Sequence, residues 1–404
     1  MEFTFQPTRT AALERLSFFL PQAGRDYAAT RNFDHGPARH RESVSCLSPY
    51  LRCRMITEKE VLQAVSTRHS FSAAEKFIQE VYWRTYWKGW LELRPGVWQQ
   101  YLADLTRQWD SVQTQGGLRR RWETACLGET GIDCFDHWAR ELTTTGYLHN
   151  HARMWFASIW LFTLDLPWTL GADFFLRHLL DGDPASNTLS WRWVAGIQTR
   201  GKTYLARTSN IAKFTDGRFH PKWQLASVAP ALTGPQAPQA GALPMSKAPD
   251  PELRTGFLLH EEDLNPGYVL NQCEPSTCAV LSPQTSVGPL SPAPQVAAFR
   301  EAAQSDALKR FSARLLGAVH VKDANAILDW AAAQGVQQIV TAYAPVGPTA
   351  ECLHAVAQSP NAPAVCRVMR RYDAQAWPFA TRGFFAFKKH IPDLLADLKS
   401  PEMA

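Results

Sequence analysis

The stretch from Gly128 to Trp193 ends in paired aspartates, an asparagine and two tryptophans, namely Asp181-Gly182-Asp183, Asn187, Trp191 and Trp193. Carboxylates accept hydrogen bonds from hydroxyl and ring N–H groups, while a side-chain amide can both donate and accept. Indole rings pack well against flat aromatic groups. This combination of residues indicates a pocket for a large aromatic cofactor.

A second group of residues suits a phosphate. Val44-Ser45-Cys46-Leu47-Ser48 stands just before Pro49-Tyr50-Leu51, where a helix can begin. Hydroxyls and free N–H groups at a helix start suit an anion, although such serines more often only cap the helix. Glu80 and Arg84 are four residues apart and share a helix face. Their aromatic surroundings favour an inward-facing pair over a surface ion pair.

The elements that position these residues are predicted to be helical. Apolar residues recur at helical spacing over residues 9–20, 57–94, 132–143, 148–164 and 171–180. Thr57 with Glu60 three places later forms a capping-box pattern. Residues 1–225 are therefore predicted to be an all-α domain.

A different pattern follows. Residues 226–252 are rich in Pro, Ala and Gly, which is typical of an extended, semi-rigid linker. Residues 253–404 then alternate short apolar strands with helices. Strands are predicted at 255–260, 318–321, 336–343 and 364–370, and helices at 296–310, 324–334 and 348–358. This alternation predicts a parallel α/β domain.

Composition sets limits on the class of protein. With 404 residues the chain is long enough for two domains, each with its own core. The net charge of +5 is a mild bias, and runs such as Arg119-Arg120-Arg121 are more often solvated helix faces. No apolar run could span a bilayer and no signal peptide is recognisable, so we expect a cytoplasmic protein without a membrane partner.

The eight cysteines contain no C-x-x-C pair, and they are expected to be reduced and mostly buried. Their spacing indicates no metal site, but an iron–sulfur site assembled from distant cysteines stays open. Thirteen of the fifteen tryptophans lie between Trp83 and Trp223, which favours different roles for the two domains.

These motifs, in this order, resemble the FAD-binding domain of the photolyase/cryptochrome family. The resemblance includes Tyr27, the loop 44–51, Glu80-Val81-Tyr82-Trp83-Arg84 and Thr130-Gly131. It continues through Gly146-Tyr147, His149-Asn150-x-x-Arg153-Met154 and 181–193. It implies a helical photolyase-type FAD-binding domain followed here by a smaller Rossmann-like α/β domain.

The resemblance implies FAD as the cofactor and assigns each residue a role. Ser45, Ser48 and the loop backbone would bind the pyrophosphate with Arg84, and the two aspartates would accept from ribose and ring groups. Arg153 would pair with Asp181, and Asn187 would face the flavin N5 atom. The complete set of implied FAD contacts is Tyr27, Val44, Ser45, Cys46, Leu47, Ser48, Arg84, Tyr147, Asn150, Arg153, Asp181, Gly182, Asp183 and Asn187.

An electron relay is implied as well. Trp191 would be the donor next to the flavin, and Trp168 would be the next tryptophan. The outer member would fall near Gln115, where Trp109 and Trp122 are the neighbouring tryptophans, so the relay is either rerouted or incomplete.

A pocket for a damaged base is implied by Glu80, Trp83, Asn150, Met154 and Trp193. Four positions depart from the family pattern, namely Val44, Phe77, Gln79 and His151. The flavin site is thus better supported by the sequence than the repair site.

In the second half, residues 257–266, 299–310, 319–343 and 378–385 resemble the family's α/β domain, which there precedes the flavin domain. Acidic residues replace the basic ones after the first strand. The reversed order predicts a circular permutation. Residues that would bind an antenna chromophore are not identifiable.

The function that the resemblance implies is light-driven electron transfer from reduced FAD to a flipped pyrimidine dimer in DNA, and we expect Arg200, Lys202 and Arg207 to form a basic rim. Two alternatives stay open. One is a cryptochrome-like photosensor that signals to a protein partner. The other is a light-independent flavoprotein or an interaction protein on the same scaffold.

Overall fold

The computed structural model describes residues 4–283, 288–315, 317–360 and 362–398. The first half is helical as predicted, and the expected capping box at Thr57 and Glu60 is formed. Trp168 is the first residue of its helix, three residues earlier than predicted. The helices are α1 Arg9–Phe19, α2 Arg25–Thr30, α3 Ser48–Arg52, α4 Glu58–Arg68, α5 Phe71–Glu92, α6 Gly96–Thr114, α7 Gly116–Leu127, α8 Asp133–Thr145, α9 Asn150–Ser158, α10 Trp168–His178, α11 Pro184–Val194 and α12 Thr208–Phe214, with a π-helical turn at Ile159–Thr163.

The second half contains a parallel sheet with the strand order β3-β2-β1-β4-β5, which confirms the predicted fold class. Strand β2 was not predicted, although its apolar run between Pro275 and Pro283 has the pattern of a short buried strand. The elements are β1 Thr255–Leu259, α13 Gly267–Leu270, β2 Thr277–Leu281, α14 Pro294–Arg310, β3 Val319–Val321, α15 Ala324–Ala333, β4 Gln338–Ala342, α16 Pro348–Gln358, β5 Ala364–Val368, α17 Arg371–Ala376, α18 Phe384–Phe387 and α19 Ile391–Asp397.

The two halves share one buried core. The sheet face that carries Phe257, Leu259 and Val340 belongs to the same apolar cluster as the helices of the first half. The opposite sheet face, with Leu258 and Ile339, packs in a smaller cluster against α15 and α16. The structure therefore differs from the expectation of one core per domain, and the boundaries at 225 and 253 stay a prediction.

The proline-rich stretch at 226–252 has no helix or strand, but hydrogen bonds tie it to both halves. Leu232 N donates to the Ala195 carbonyl (3.0 Å), and Gly241 N donates to the Leu93 carbonyl (2.8 Å). Asp250 N donates to Gln338 Oε1 (3.1 Å) in β4. The stretch thus lies along the protein surface and is held to both halves, and its role as a linker stays a prediction.

The acidic residues that follow β1 are buried against arginines. Arg52 makes two hydrogen bonds of 2.8 Å to Glu262, and Arg370 makes two to Asp263 (2.6 and 2.8 Å). The fully buried Arg54 contacts Asp263 at 3.5 Å. These carboxylates stand where the strand order reverses between β1 and β4, which is the usual ligand crevice of such sheets. Here arginines from the helical half reach the acidic side chains at this point.

Helix α5 crosses from the helical half to the sheet. Trp377 packs against Gly89, where an added Cβ would lie 2.7 Å from the indole. At the end of α5, the buried Glu92 accepts hydrogen bonds from Tyr343 Oη and Val346 N, both at 2.5 Å. Burial raises the pKa of Glu92 from 4.5 to about 7. The end of α5 is therefore fixed to the loop after β4 by a carboxyl group that favours its protonated form.

The raised pKa of Glu92 predicts a pH dependence of stability. The folded state holds this proton more tightly than the unfolded chain, so the stabilisation is complete below pH 4.5 and is lost as the pH rises through about 7. Across this interval, we expect the unfolding free energy of the wild-type protein to fall by on the order of 3 kcal/mol more than that of Glu92→Gln. Denaturant unfolding at several pH values measures this decline, and an unchanged slope in the variant would contradict the assignment.

Among the helices that the structure describes, none is long and apolar enough to cross a membrane.

Candidate cofactor site

A turn between α10 and α11 holds the first of the two predicted aspartates against α9 and α3. Arg153 Nη1 and Nη2 donate to Asp181 Oδ1 and Oδ2 at 3.0 and 2.8 Å, so the expected pair is present. Burial alone would raise the pKa of Asp181, but the Arg153 guanidinium and hydrogen bonds from Arg153 and Ser48 hold it below its ordinary value. Asp181 is therefore a carboxylate whose position is fixed from two sides.

Tyr147 and Cys46 lie beside this pair. The Arg153 guanidinium stands 5.4 Å from the centre of the Tyr147 ring, and the Tyr147 hydroxyl interacts with Cys46. Burial raises the pKa of Tyr147, which keeps the phenol neutral. Five predicted cofactor residues are thus brought together: Cys46, Ser48, Tyr147, Arg153 and Asp181.

The second aspartate begins α11. Asp183 Oδ1 accepts a hydrogen bond from Ser186 N (2.7 Å), so it is the N-cap of this helix, a role that the sequence analysis did not predict. Its other oxygen lies 3.4 Å from Lys88 Nζ and 3.7 Å from Arg84 Nη1. Burial alone would raise the pKa of Asp183. Lys88, Arg84 and Arg52 lower it by more, so this pKa is far below its ordinary value. Asp183 therefore remains charged inside the protein.

The predicted phosphate loop is oriented by an arginine that the sequence did not single out. Arg15 Nε donates to the Ser45 carbonyl (2.6 Å), and Arg15 Nη2 donates to the Val44 carbonyl (3.1 Å). Since N–H and C=O point in opposite directions within a peptide unit, the N–H groups of Ser45 and Cys46 point away from Arg15. These two N–H groups therefore face the side of the loop opposite Arg15.

Two further details of this loop differ from a simple cap. Cys46 has a φ of 53°, and Leu47 N donates to Ser45 Oγ at 3.4 Å. Ser48 is the first residue of α3 and makes no capping hydrogen bond, because its hydroxyl reaches Asp181 instead. The Ser45 side chain thus binds within the loop, whereas the Ser48 side chain binds Asp181 in the turn before α11.

One face of α11 carries a polar residue and an indole at helical spacing. Asn187 Nδ2 donates to the Ala172 carbonyl (2.7 Å), which leaves Oδ1 as the atom that can accept from a ligand. Trp191 follows one turn later and is almost fully buried. Its ring lies edge-on to Phe175, with centroids 5.1 Å apart. Asp183, Asn187 and Trp191 therefore form one stripe along α11.

The other members of the predicted electron relay lie further away along α10, α6 and α7. The half-buried Trp168 packs against Tyr101, with ring centroids 5.6 Å apart. Trp109 and Trp122 contact each other, with centroids 5.4 Å apart. Within the described ranges, no ring contact joins Trp191 to Trp168.

The residues predicted to contact a damaged base begin with Glu80, which forms an ion pair with Arg31. Burial raises the pKa of Glu80, although Arg31 opposes that effect. Arg31 also interacts with the Tyr27 hydroxyl, and the Tyr27 ring packs edge-on against Phe77 (5.2 Å). Tyr27 and Glu80 are thus linked through one arginine.

The other pocket residues sit on three different elements. Asn150 is exposed at the first position of α9, and Met154 is half-buried one turn later. Trp193 stacks on Tyr204 with centroids 5.9 Å apart. Trp83 is covered on one face by Phe384, with ring centroids only 3.6 Å apart. In the part of the chain that the structure describes, no hydrogen bond or ring contact joins these four residues to one another.

All eight cysteines are free thiols. Across the described residues there is no group of three or more His, Cys, Asp or Glu side chains that could hold a metal ion.

Comparison with known proteins finds similarities to the helical half. Residues 77–224 match the family described as "FAD binding domain of DNA photolyase". The deoxyribodipyrimidine photo-lyase of Synechococcus sp. is 32% identical over 208 residues, covering 48% of this chain and 40% of that protein. The same enzyme of Vibrio cholerae is 29% identical over 234 residues, covering 54% of this chain and 47% of the relative. The chain thus spans less than half the length of these relatives.

Solved structures give related matches. A bacterial class III photolyase from Agrobacterium tumefaciens has a TM-score of 0.42 at 26% identity, covering 52% of this chain and 43% of the other. A cryptochrome from Synechocystis sp. has a TM-score of 0.42 at 24% identity, with coverage of 56% and 50%. Residues 77–224, within the helical half, are therefore similar to the FAD-binding domain of DNA photolyases.

The side chains around Asp183 fit such a cofactor. Arg84 Nη1, Lys88 Nζ and Ser186 Oγ are buried and have no hydrogen-bond partner among the described residues. Buried donors of this kind normally have an acceptor, and a dinucleotide offers phosphate and ribose oxygens. Lys88 was not predicted, although it lies one turn after Arg84 on the same helix face.

The Arg153–Asp181 pair generates a test of this site. We expect Asp181→Asn to weaken FAD binding by about tenfold to a hundredfold, since hydrogen bonds to charged groups contribute about 1.5–3 kcal/mol. Fluorescence titration of the protein with FAD measures the affinity, and thermal unfolding shows that the variant is folded. Asp110→Asn, at an exposed position of α6, is the matched control. Equal affinity of a folded Asp181→Asn protein and the control would remove Asp181 from the site.

Proposed function

We propose that this protein is a photolyase-like enzyme in which light drives electron transfer from reduced FAD to a flipped pyrimidine dimer in DNA. The observation that carries the proposal is the stripe of Asp183, Asn187 and Trp191 on α11. It aligns a charged helix start, an amide with a free acceptor oxygen and a buried indole along one helix face. The similarity of residues 77–224 to a photolyase FAD domain supports the same reading.

Several residues would hold the cofactor. The N–H groups of Ser45 and Cys46, together with Arg84 and Lys88, would bind the pyrophosphate. Asp181, fixed by Arg153, would accept from the ring or ribityl side, and Asn187 would face the N5 atom. Bound FAD supplies a blue-light chromophore and a one-electron donor. The surrounding side chains would hold it near Trp191 and exclude water.

DNA would be bound at the edge of this site. Glu80 and Asn150 would hydrogen-bond the flipped bases, while Trp83, Met154 and Trp193 would pack against them. Arg200, Lys202 and Arg207 are exposed near Trp193 and Tyr204 in the sequence, and they would contact phosphates. The partly buried Glu80 with its raised pKa suits a group that both donates to and accepts from a base edge.

We further propose that the two halves are a circular permutation of the family order. The helical half comes first in this chain, and the parallel sheet follows from Thr255. The curated alignments cover about half of the chain, in agreement with a match limited to one half. After β1, this chain has acidic residues where the family pattern has basic ones. Glu262 pairs there with Arg52 and Asp263 with Arg54, which supports a contact that has changed together in the two halves.

A blue-light photosensor is the second candidate, and two observations favour it. Glu80 already has Arg31 as its partner, and Phe384 from the second half covers one face of Trp83. Both contacts occupy residues that a repair enzyme would direct at DNA. A photosensor would keep the electron relay and use the second half to signal to a protein partner.

Repair of a dimer-containing oligonucleotide under blue light tests the first candidate against the second. The proposal predicts dimer splitting that depends on light, and a loss of about tenfold or more in Glu80→Ala, since unpaired polar groups on a buried base cost at least about 1.4 kcal/mol. Glu123→Ala, on the outer part of α7, serves as the control. Light-dependent reduction of FAD without any dimer splitting would favour the photosensor.

The role of Trp191 generates a separate prediction. Trp191→Phe keeps an aromatic ring in the same space but removes the easily oxidised indole. We expect FAD to stay bound and its photoreduction to slow strongly, as measured by loss of the absorption band of oxidised FAD under blue light with a thiol reductant. Photoreduction at the wild-type rate would remove Trp191 from the electron path.

A further inference from the structure

Besides Phe175, the ring of Trp160 contacts Trp191. Trp160 is not a member of the predicted electron relay. The two indoles meet edge to face, with centroids 6.2 Å apart and planes at 83°. Trp160 is fully buried. We propose that Trp160 is an electron-relay residue between Trp191 and Trp168, an inference that rests on the proposed photoreduction.

Gly171 makes the close approach of the two indoles feasible. A Cβ at this position would lie 2.3 Å from Cη2 of Trp191 and 2.9 Å from Nε1 of Trp160. Glycine therefore leaves open the space in which both indole edges meet. Any larger residue there would separate the two rings.

A hydrogen bond continues the contact towards Trp168. Trp160 Nε1 donates to the carbonyl of Pro167 at 3.0 Å, and Pro167 directly precedes Trp168 at the start of α10. Trp168 then packs against Tyr101 and is itself half-buried. Trp160 thus contacts the Trp191 ring on one side. On the other side, its N–H group binds the backbone next to Trp168.

The backbone at Trp160 is also unusual. Ile159–Thr163 is a π-helical turn, in which Leu164 N donates to the Ile159 carbonyl at 2.9 Å. Such turns insert one residue into a helix and occur often at functional sites. Here the turn carries Trp160 between α9 and α10.

The electron steps balance with a thiol reductant in solution as the final electron donor. Bound FAD would supply the oxidant that takes one electron from Trp191. Trp160 would then give one electron to Trp191 and be oxidised, while Trp191 would be restored. Trp168 then restores Trp160, and a thiol reductant in solution restores Trp168. The Nε1 proton of Trp160 stays in place, because the Pro167 carbonyl is a weak base.

The test compares Trp160→Phe with Trp168→Phe and with the control Trp138→Phe. Trp138 is equally buried and also donates its Nε1–H, to Asp34 Oδ2 at 3.1 Å, but it packs against Trp155 and Phe219. We expect FAD photoreduction to slow by about tenfold or more in both relay variants, equivalent to about 1.4 kcal/mol of activation free energy, and to be unchanged in the control. Slowing in Trp168→Phe with a wild-type rate in Trp160→Phe would overturn the proposal.

A second readout needs no bound FAD. Near-ultraviolet circular dichroism of the cofactor-free protein should contain a coupled signal from the two indoles, which Trp160→Phe and Trp191→Phe both remove and Trp138→Phe retains. If phenylalanine prevents folding, Trp160→Tyr fills more of the space and should still slow photoreduction, because tyrosine must lose a proton to be oxidised. A coupled signal that survives Trp160→Phe would contradict the contact. No photoreduction in the wild-type protein would instead refute the proposed function.

Discussion

Two buried carboxylates separated by a single glycine, Asp181 and Asp183, set the main constraint on the helical half. A buried charge is tolerated only if it is paired, because its loss of hydration costs several kcal/mol. Arg153 and Ser48 compensate Asp181, while Lys88, Arg84 and the N-terminus of α11 compensate Asp183. The single turn at 181–183 therefore determines how α3, α5, α9 and α11 meet.

The same constraint connects the site with the second half. Gly182, between the two aspartates, accepts a hydrogen bond from Arg52 Nε at 2.7 Å, and the other end of that guanidinium binds Glu262 after β1. Helix α5 carries Arg84 and Lys88 towards Asp183 and ends at Glu92, which binds the loop after β4. The sheet is thus joined to the cofactor site through two short chains of paired groups. This explains why one apolar core extends through both halves.

Much of the site could be predicted from the sequence where spacing alone fixes geometry. Asn187 and Trp191 share a helix face by their separation, and the order of motifs indicated the pair of Arg153 with Asp181. The strands β1, β4 and β5 were found because continuous apolar runs bounded by loops identify buried strands. The fold class followed from the change of pattern after residue 252.

The residues that were missed act over long sequence distances. Arg15 reaches the carbonyls of residues 44 and 45, and Lys88 looks like one polar residue within an aromatic helix. Trp160 lies in a π-helical turn that breaks the helical period, so its contact with Trp191 could not be derived from spacing. The N-cap role of Asp183 had a signal, since Asp-Pro at a helix start is a common pattern.

The central claim is that the helical half binds one FAD through the turn at 181–183. The most direct measurement is the amount of FAD released on denaturing purified protein that has been saturated with FAD and freed of excess by gel filtration. The account predicts one FAD per chain, with the visible absorption band of a bound flavin before denaturation. Protein that retains no FAD after saturation would contradict it.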